Sequence, residues 1–254
     1  MTSAAAPPTP AYRRLTVEQR RSQLLTAALG LFAHRAPDEV SLDEVAVAAG
    51  VSRPLVYRYF PGGRQQLYEA ALRSAADELT LCFAEPAVGA PTERLSRVLD
   101  RYLGFVVQHD AGFSALLRGG SVAETSRTTA IVDGVRRAAA EQVLLHFGGR
   151  SEAAGPRRAG PRLRMMVRTW IAAVEAASLI WLDEEERTPA GELRGWLVDH
   201  LVALLTATAA TDPETADVVA ELLPLETAGG PAGLLANRLL PVVAGAAHLL
   251  PAAD

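Results

Sequence analysis

Apolar residues recur along this chain at spacings of three and four, and no stretch keeps the every-second-residue alternation of a half-buried strand. The pattern predicts an all-α protein. Leu24, Ala28, Leu31 and Phe32 mark the first helix, which a capping box of Thr16 and Gln19 opens. A second, short helix carries Leu42, Val45, Ala46 and Ala49 on one face, with Ser41 and Glu44 as its capping box. Gly50 follows directly, where a helix end favours a residue that tolerates positive φ. Ser52 caps a third helix, Pro54 sits harmlessly in its first turn, and Pro61, Gly62 and Gly63 end it. Further helices are expected over 64–83, 92–108, 113–118, 124–147, 162–182 and 191–207, separated by turns and loops, several of them rich in Gly and Pro. Beyond 211, Asp212-Pro213 opens one more helical stretch, Gly229-Gly230-Pro231 interrupts it, and an apolar run over 234–250 follows. An extra helix capping the body and a mobile tail both fit that pattern.

The two short helices flanking Gly50 have the layout of a helix-turn-helix, whose second helix lies in the DNA major groove. On that second helix Leu55 and Val56 point inward, while Arg53, Tyr57 and Arg58 project elsewhere. Arg53 is the candidate base reader, because a guanidinium can donate two hydrogen bonds to guanine O6 and N7. Tyr57, Arg58 and Tyr59 suit phosphates, and Tyr57 also suits a thymine methyl. Ser41 and Ser52 stand at helix N-termini, where N–H groups and hydroxyls meet phosphate oxygens. Two alternatives stay open: Tyr57 or Tyr59 packing partly into the core of the head, and Arg58 as an ordinary solvated charge.

Over LLTAALGLFA (24–33), SLDEVAVAAGVSRPLVYRYF (41–60) and a basic residue ahead of Leu67, the chain resembles the tetracycline-repressor (TetR) family of bacterial transcription regulators. The resemblance covers the first quarter to third of the chain. It implies a three-helix DNA-binding domain over 15–68 and a ligand-binding and dimerisation domain over 69–208; the residues themselves read as a disordered arm over 1–14, and on the tail over 209–254 the resemblance is silent. DNA contacts then fall on Ser41, Ser52, Arg53, Pro54, Tyr57, Arg58, Tyr59 and Arg64. One departure matters: where the family has a lysine three residues after the Phe, this chain has Gly63, and Arg64 arrives one residue later.

The resemblance also implies a homodimer built on the last two body helices. Ala173, Ala177 and Trp181 on one and Leu193, Trp196, Leu197, Leu201 and Leu204 on the other are the candidate interface; a core pair inside one subunit is the alternative. It implies a palindromic operator, and repression relieved by a small apolar or amphipathic effector. Candidate pocket residues are Tyr102, Phe105, Phe113, Leu117, Met166, Trp170 and Val174, with His109, Arg118 or Glu175 as polar anchors. Glu175 stands in an apolar helix, where an unpaired carboxylate is costly, so it binds a ligand, pairs with an arginine or faces water.

Charge supports the division. The formal net charge is −4 and every one of the 25 basic residues is arginine. Through Tyr68, eight arginines face five carboxylates, a net of +3 that leaves −7 for the remainder. A basic head on an acidic body fits DNA binding. Cys82 is the only cysteine, which excludes an intrachain disulfide framework and fits a reducing cytoplasm. The N-terminus lacks the pattern of a signal peptide, and the apolar run over 170–182 is too short to span a bilayer. Five scattered histidines, no phosphate loop and no nucleophile elbow leave an enzyme without a site, and neither a cofactor nor a metal is expected. The competing function is a helical ligand-binding or protein-interaction module that does not use its DNA-binding head.

Overall fold

Capping chemistry opens the fold where the spacing predicts it. The Thr16 hydroxyl accepts from the Gln19 N–H at 3.1 Å, and the Thr16 N–H donates to Gln19 Oε1 at 3.0 Å. The computed structural model describes residues 15–118, 126–147 and 159–246, and all regular structure among them is helical. The expected arm at 1–14, with Arg13 and Arg14, and most of the loop over 148–161 lie outside the described residues.

Helix α1 (Val17–Phe32), a 3₁₀ turn (Pro37–Glu39), α2 (Leu42–Ala48), α3 (Arg53–Tyr59) and the first turns of α4 (Gly63–Leu81) make the head. Leu24, Ala28, Val45, Val56, Phe60 and Leu67 are closed to solvent at its centre. Tyr68 meets Phe32 edge-on at 4.7 Å, which fixes α4 against α1.

The body follows as α5 (Pro91–Gln108), α6 (Asp110–Arg118), α7 (Ser126–Phe147), α8 (Pro161–Asp183) and α9 (Ala190–Ala209). Only His109 separates α5 from α6, so α6 begins three residues before the expected 113. No proline enforces a break there. Gly112, which reads as a turn residue, lies inside α6 against Leu29 of α1 and Ala75 of α4. The indole N–H of Trp170 donates to the Leu197 carbonyl at 3.0 Å and ties α8 to α9. One apolar cluster runs continuously from the head, through α4, into this bundle.

Residues 213–246 extend the bundle. Asp212 caps α10 (Pro213–Leu222) by accepting from the Thr215 N–H at 3.1 Å, and Leu222 is buried. α11 (Pro231–Ala246) lies against α9 and α5, with Arg238 bridging Asp199 at 2.6 Å. Of the two arrangements the sequence allowed, 213–246 takes the packed one.

By length and composition α8 is apolar enough to cross a membrane, with mean hydropathy 1.4, a point the shorter run over 170–182 concealed. Here it acts as a core helix, burying Leu163, Val167, Trp170, Ile171 and Val174 among α5, α7 and α9.

Candidate functional site

The turn between α2 and α3 is a Schellman motif. The Val51 N–H reaches the Ala46 carbonyl at 2.9 Å and the Gly50 N–H reaches that of Val47 at 3.0 Å, with Gly50 at φ 62°. Gln23 of α1 donates to the Ala49 carbonyl at 2.7 Å. These bonds hold α3 rigidly with Val56 inward and Arg53, Tyr57 and Arg58 exposed.

Arg53 is not loose. Its Nε bridges Asp43 of α2 at 2.9 Å, and its Nη2 lies 3.3 Å from the Tyr57 hydroxyl, with the guanidinium 5.4 Å from that ring's centre. These contacts fix the guanidinium between Asp43 of α2 and the Tyr57 ring of α3. Asp43 was missed in the sequence, since a carboxylate in a helix's first turn reads simply as a favourable dipole contact.

The two serines differ. The Ser41 hydroxyl is engaged in its capping box, accepting from the Glu44 N–H at 3.2 Å and donating to Glu44 Oε2 at 2.7 Å. Ser52 makes no such bond and stays exposed, as does Pro54 beside it. Tyr57 is 42% exposed, whereas Tyr59 is half-buried against the core of the head, one of the two packings left open above. Exposed Arg64 donates to the Asp38 carbonyl at 2.8 Å. The residue inserted ahead of it is absorbed by Gly63 at φ 73°, a left-handed conformation that opens α4. No side chain crowds a Cβ at Gly63, so conformational strain alone should make Gly63→Ala lose about 1–2 kcal/mol, read as a lower Tm. An unchanged Tm would mean that the backbone there has another conformation.

An ion pair braces the entry to α2. Arg35 donates to Glu44 at 2.6 Å and to the Glu39 carbonyl. Arg35, then the bonds from Ser41, hold the Glu44 carboxyl down to about 2. The folded value lies below the ordinary 4.5, so this contribution is present above that pH and is lost as pH falls towards about 2. Glu44→Gln should therefore flatten the acid limb of Tm against pH across that window, and an unaltered slope would exclude the pair as its cause.

A second feature lies in the body, a cavity of about 150 Å³ walled mainly by apolar side chains of α4, α5, α6, α7, α8, α9 and the 219–232 segment. Six of the pocket candidates line it: Tyr102, Phe113, Leu117, Trp170, Val174 and Glu175. Tyr102 stacks edge-on with Phe113 at 5.8 Å and donates to Ser178 at 3.1 Å, and burial pushes its phenol up. Glu175 takes the arginine alternative, paired with Arg136 at 2.9 Å.

Several candidates fall elsewhere. Phe105 and Met166 are buried but do not reach the cavity; Phe105 instead stacks on His109 at 4.8 Å. His109 is exposed, 3.6 Å from Glu78, and the side chain of Arg118 lies outside the described residues. Trp181, Leu197 and Leu201 are buried within the subunit's own core, so no partner chain can reach them. Ala173, Ala177, Leu193 and Leu204 are half-buried, while Trp196 is 50% exposed. The sequence reading missed His146, Gln142 and Glu226, which line the cavity. A signal for the first two existed, since 135, 139, 142 and 146 form one helical stripe.

A rigid three-helix head with exposed cations on its third helix, joined to a hollow helical body, defines a helix-turn-helix regulator. Comparisons with known proteins give the family. The family model described as bacterial regulatory proteins, tetR family, matches residues 24–71, and the tetracyclin repressor-like C-terminal domain matches 91–204. A tetR-family transcriptional regulator from Streptomyces coelicolor, of known structure, is 47% identical over 91% of this chain and 100% of that one, with a TM-score of 0.77. The chain belongs to the tetR family of bacterial regulatory proteins. A TetR-like regulator from a Rhodococcus species, 24% identical over 75% of this chain and 99% of its own, shares the fold at a TM-score of 0.56. The HTH-type transcriptional activator FasR of Mycolicibacterium smegmatis is 31% identical over 114 residues, 44% of this chain and 51% of that protein. An HTH-type transcriptional repressor of Mycobacterium tuberculosis is 36% identical over 86 residues, 34% of this chain and 43% of its own. The chain thus spans about half the length of these curated relatives, or less.

Proposed function

We propose that this protein is a cytoplasmic, dimeric repressor that leaves a palindromic operator when a small apolar or amphipathic molecule fills the body cavity. The observation that carries the reading is α4. Its first turns pack in the head through Leu67 and Tyr68, and Leu79 at its far end lines the cavity. A helix of this length spans about 28 Å, so a displacement at the cavity reaches the DNA-facing end intact. α6 gives a second link, lining the cavity with Phe113 and Leu117 while packing on α1.

Dimerisation is supported by an exposed stripe of Met165, Thr169, Ala172, Ala176 and Ile180 on α8, beside Trp196 and Ala203 on α9. Small residues allow two copies to approach closely, with half-buried Ala173, Ala177, Leu193 and Leu204 at the margins. Two heads about 34 Å apart, or a multiple, then face one side of a duplex.

Fluorescence anisotropy with DNA upstream of the protein's own gene tests the reading. Saturable binding is expected at fixed salt, weakened about 5–150-fold by an effector. No binding to that DNA or to any palindrome within it would favour the module that does not use its head.

A further inference from the structure

The cavity wall contains an unusual pair, a buried arginine on a half-buried histidine. Arg94 of α5 is only 7% exposed and makes no ion pair with a carboxylate among the described residues, although Glu85 and Glu226 lie near enough to act on its charge. Its Nη2 donates to His146 Nδ1 at 2.7 Å and to the His146 carbonyl at 3.3 Å, at the C-terminal end of α7. Arginine has no acceptor, so His146 Nδ1 must accept, and the proton of the neutral ring is confined to Nε2. Burial, and then the Arg94 charge, hold that imidazole below its ordinary value and keep it neutral near pH 7. His146 lines the cavity, and its Nε2 is buried without a hydrogen-bond partner among the described residues. Arg94 Nε is likewise buried and unpartnered.

The nearby carboxylates are already engaged. Glu85 is held by Arg97 at 2.6 Å and Arg101 at 2.8 Å. Glu226 accepts from the Thr92 N–H at 2.8 Å and the Thr92 hydroxyl at 2.6 Å. A buried donor with no acceptor is unfavourable, and an acceptor brought against it from the cavity would satisfy it.

Taking the cavity as the effector site, we infer that its ligand is an apolar molecule carrying one acceptor oxygen, a carbonyl or carboxylate, received by His146 Nε2–H. Arg94 is the positioning residue that selects the tautomer and puts positive potential behind the ring. A cationic head is disfavoured, because it meets an N–H donor backed by a guanidinium. An apolar cavity of about 150 Å³ holds a body the size of benzene, and its lining, drawn from Leu79 to Ala232, suits a flexible chain of similar girth.

Isothermal titration with octanoate, 2-octanone and octylammonium at pH 7 tests this. Octanoate and octanone should bind wild-type protein at least tenfold more tightly than octylammonium. His146→Leu should lose about tenfold for both acceptors, and His146→Gln, whose amide can donate from a similar place, should recover most of it. Equal binding of octylammonium, or full acceptor affinity in a folded His146→Leu, overturns the inference. Anisotropy on operator DNA separates it from the effector reading. Octanoate that binds through His146 but leaves the DNA complex intact upholds the acceptor site and removes the effector role; release from His146→Leu at wild-type concentrations does the reverse. If none of the three probes binds, both fall.

Discussion

Arg53→Ala is expected to weaken operator binding by about 5–150-fold per half-site and to erase base preference at one position. That range is the 1–3 kcal/mol of a bidentate guanidinium–guanine contact expressed as affinity. The expectation rests on geometry. Arg53 opens α3 on the exposed side, tied to Asp43 and Tyr57, and Val56, Phe60 and the Gly50 turn prevent the helix from rotating. To reach a base the guanidinium must release Asp43, so Asp43→Asn should tighten binding to all DNA by removing both a competitor and a negative charge. Arg64→Ala provides the contrast: it should weaken all sequences alike and lower the salt dependence by about one ion per subunit. A base preference that survives Arg53→Ala would move the reading head elsewhere on α3.

Ala176→Arg is expected to convert the dimer to a monomer at micromolar concentration and to weaken operator binding by about 100-fold or more, the loss of one tethered half-site. Ala176 is exposed at the middle of the α8 stripe, so folding is preserved while two long charged side chains are forced between helices that need small residues. Sedimentation gives the oligomeric state, and circular dichroism confirms that the subunit remains folded. A dimer that persists would place the interface elsewhere than on α8.

How much of this was legible beforehand differs between head and body, for physical reasons. The head is built from local signals: the caps at Thr16 and Ser41, Gly50 at a helix end and Pro54 in a first turn each act within four residues and appear where spacing puts them, whereas Ser52 holds the N-cap position of α3 without a side-chain bond. The body depends on which faces meet. Trp181, Leu197 and Leu201 looked like interface because α8 and α9 are apolar on more than one face, yet these three point into the subunit, and the face left over is the one made of small residues, with Met165 and Ile180. Phe105 and Met166 share helices with true cavity residues but point along other directions. The Arg94–His146 pair joins positions 52 residues apart, and no local pattern announces such a meeting.

The central claim is that α3 enters the major groove in two copies. Dimethyl sulfate protection of guanine N7 on the protein's own upstream DNA tests it most directly. The account predicts two symmetric protected patches about one helical turn apart, each losing a guanine in Arg53→Ala while the rest of the footprint persists. Protection confined to one patch, or identical for wild type and Arg53→Ala, would contradict it.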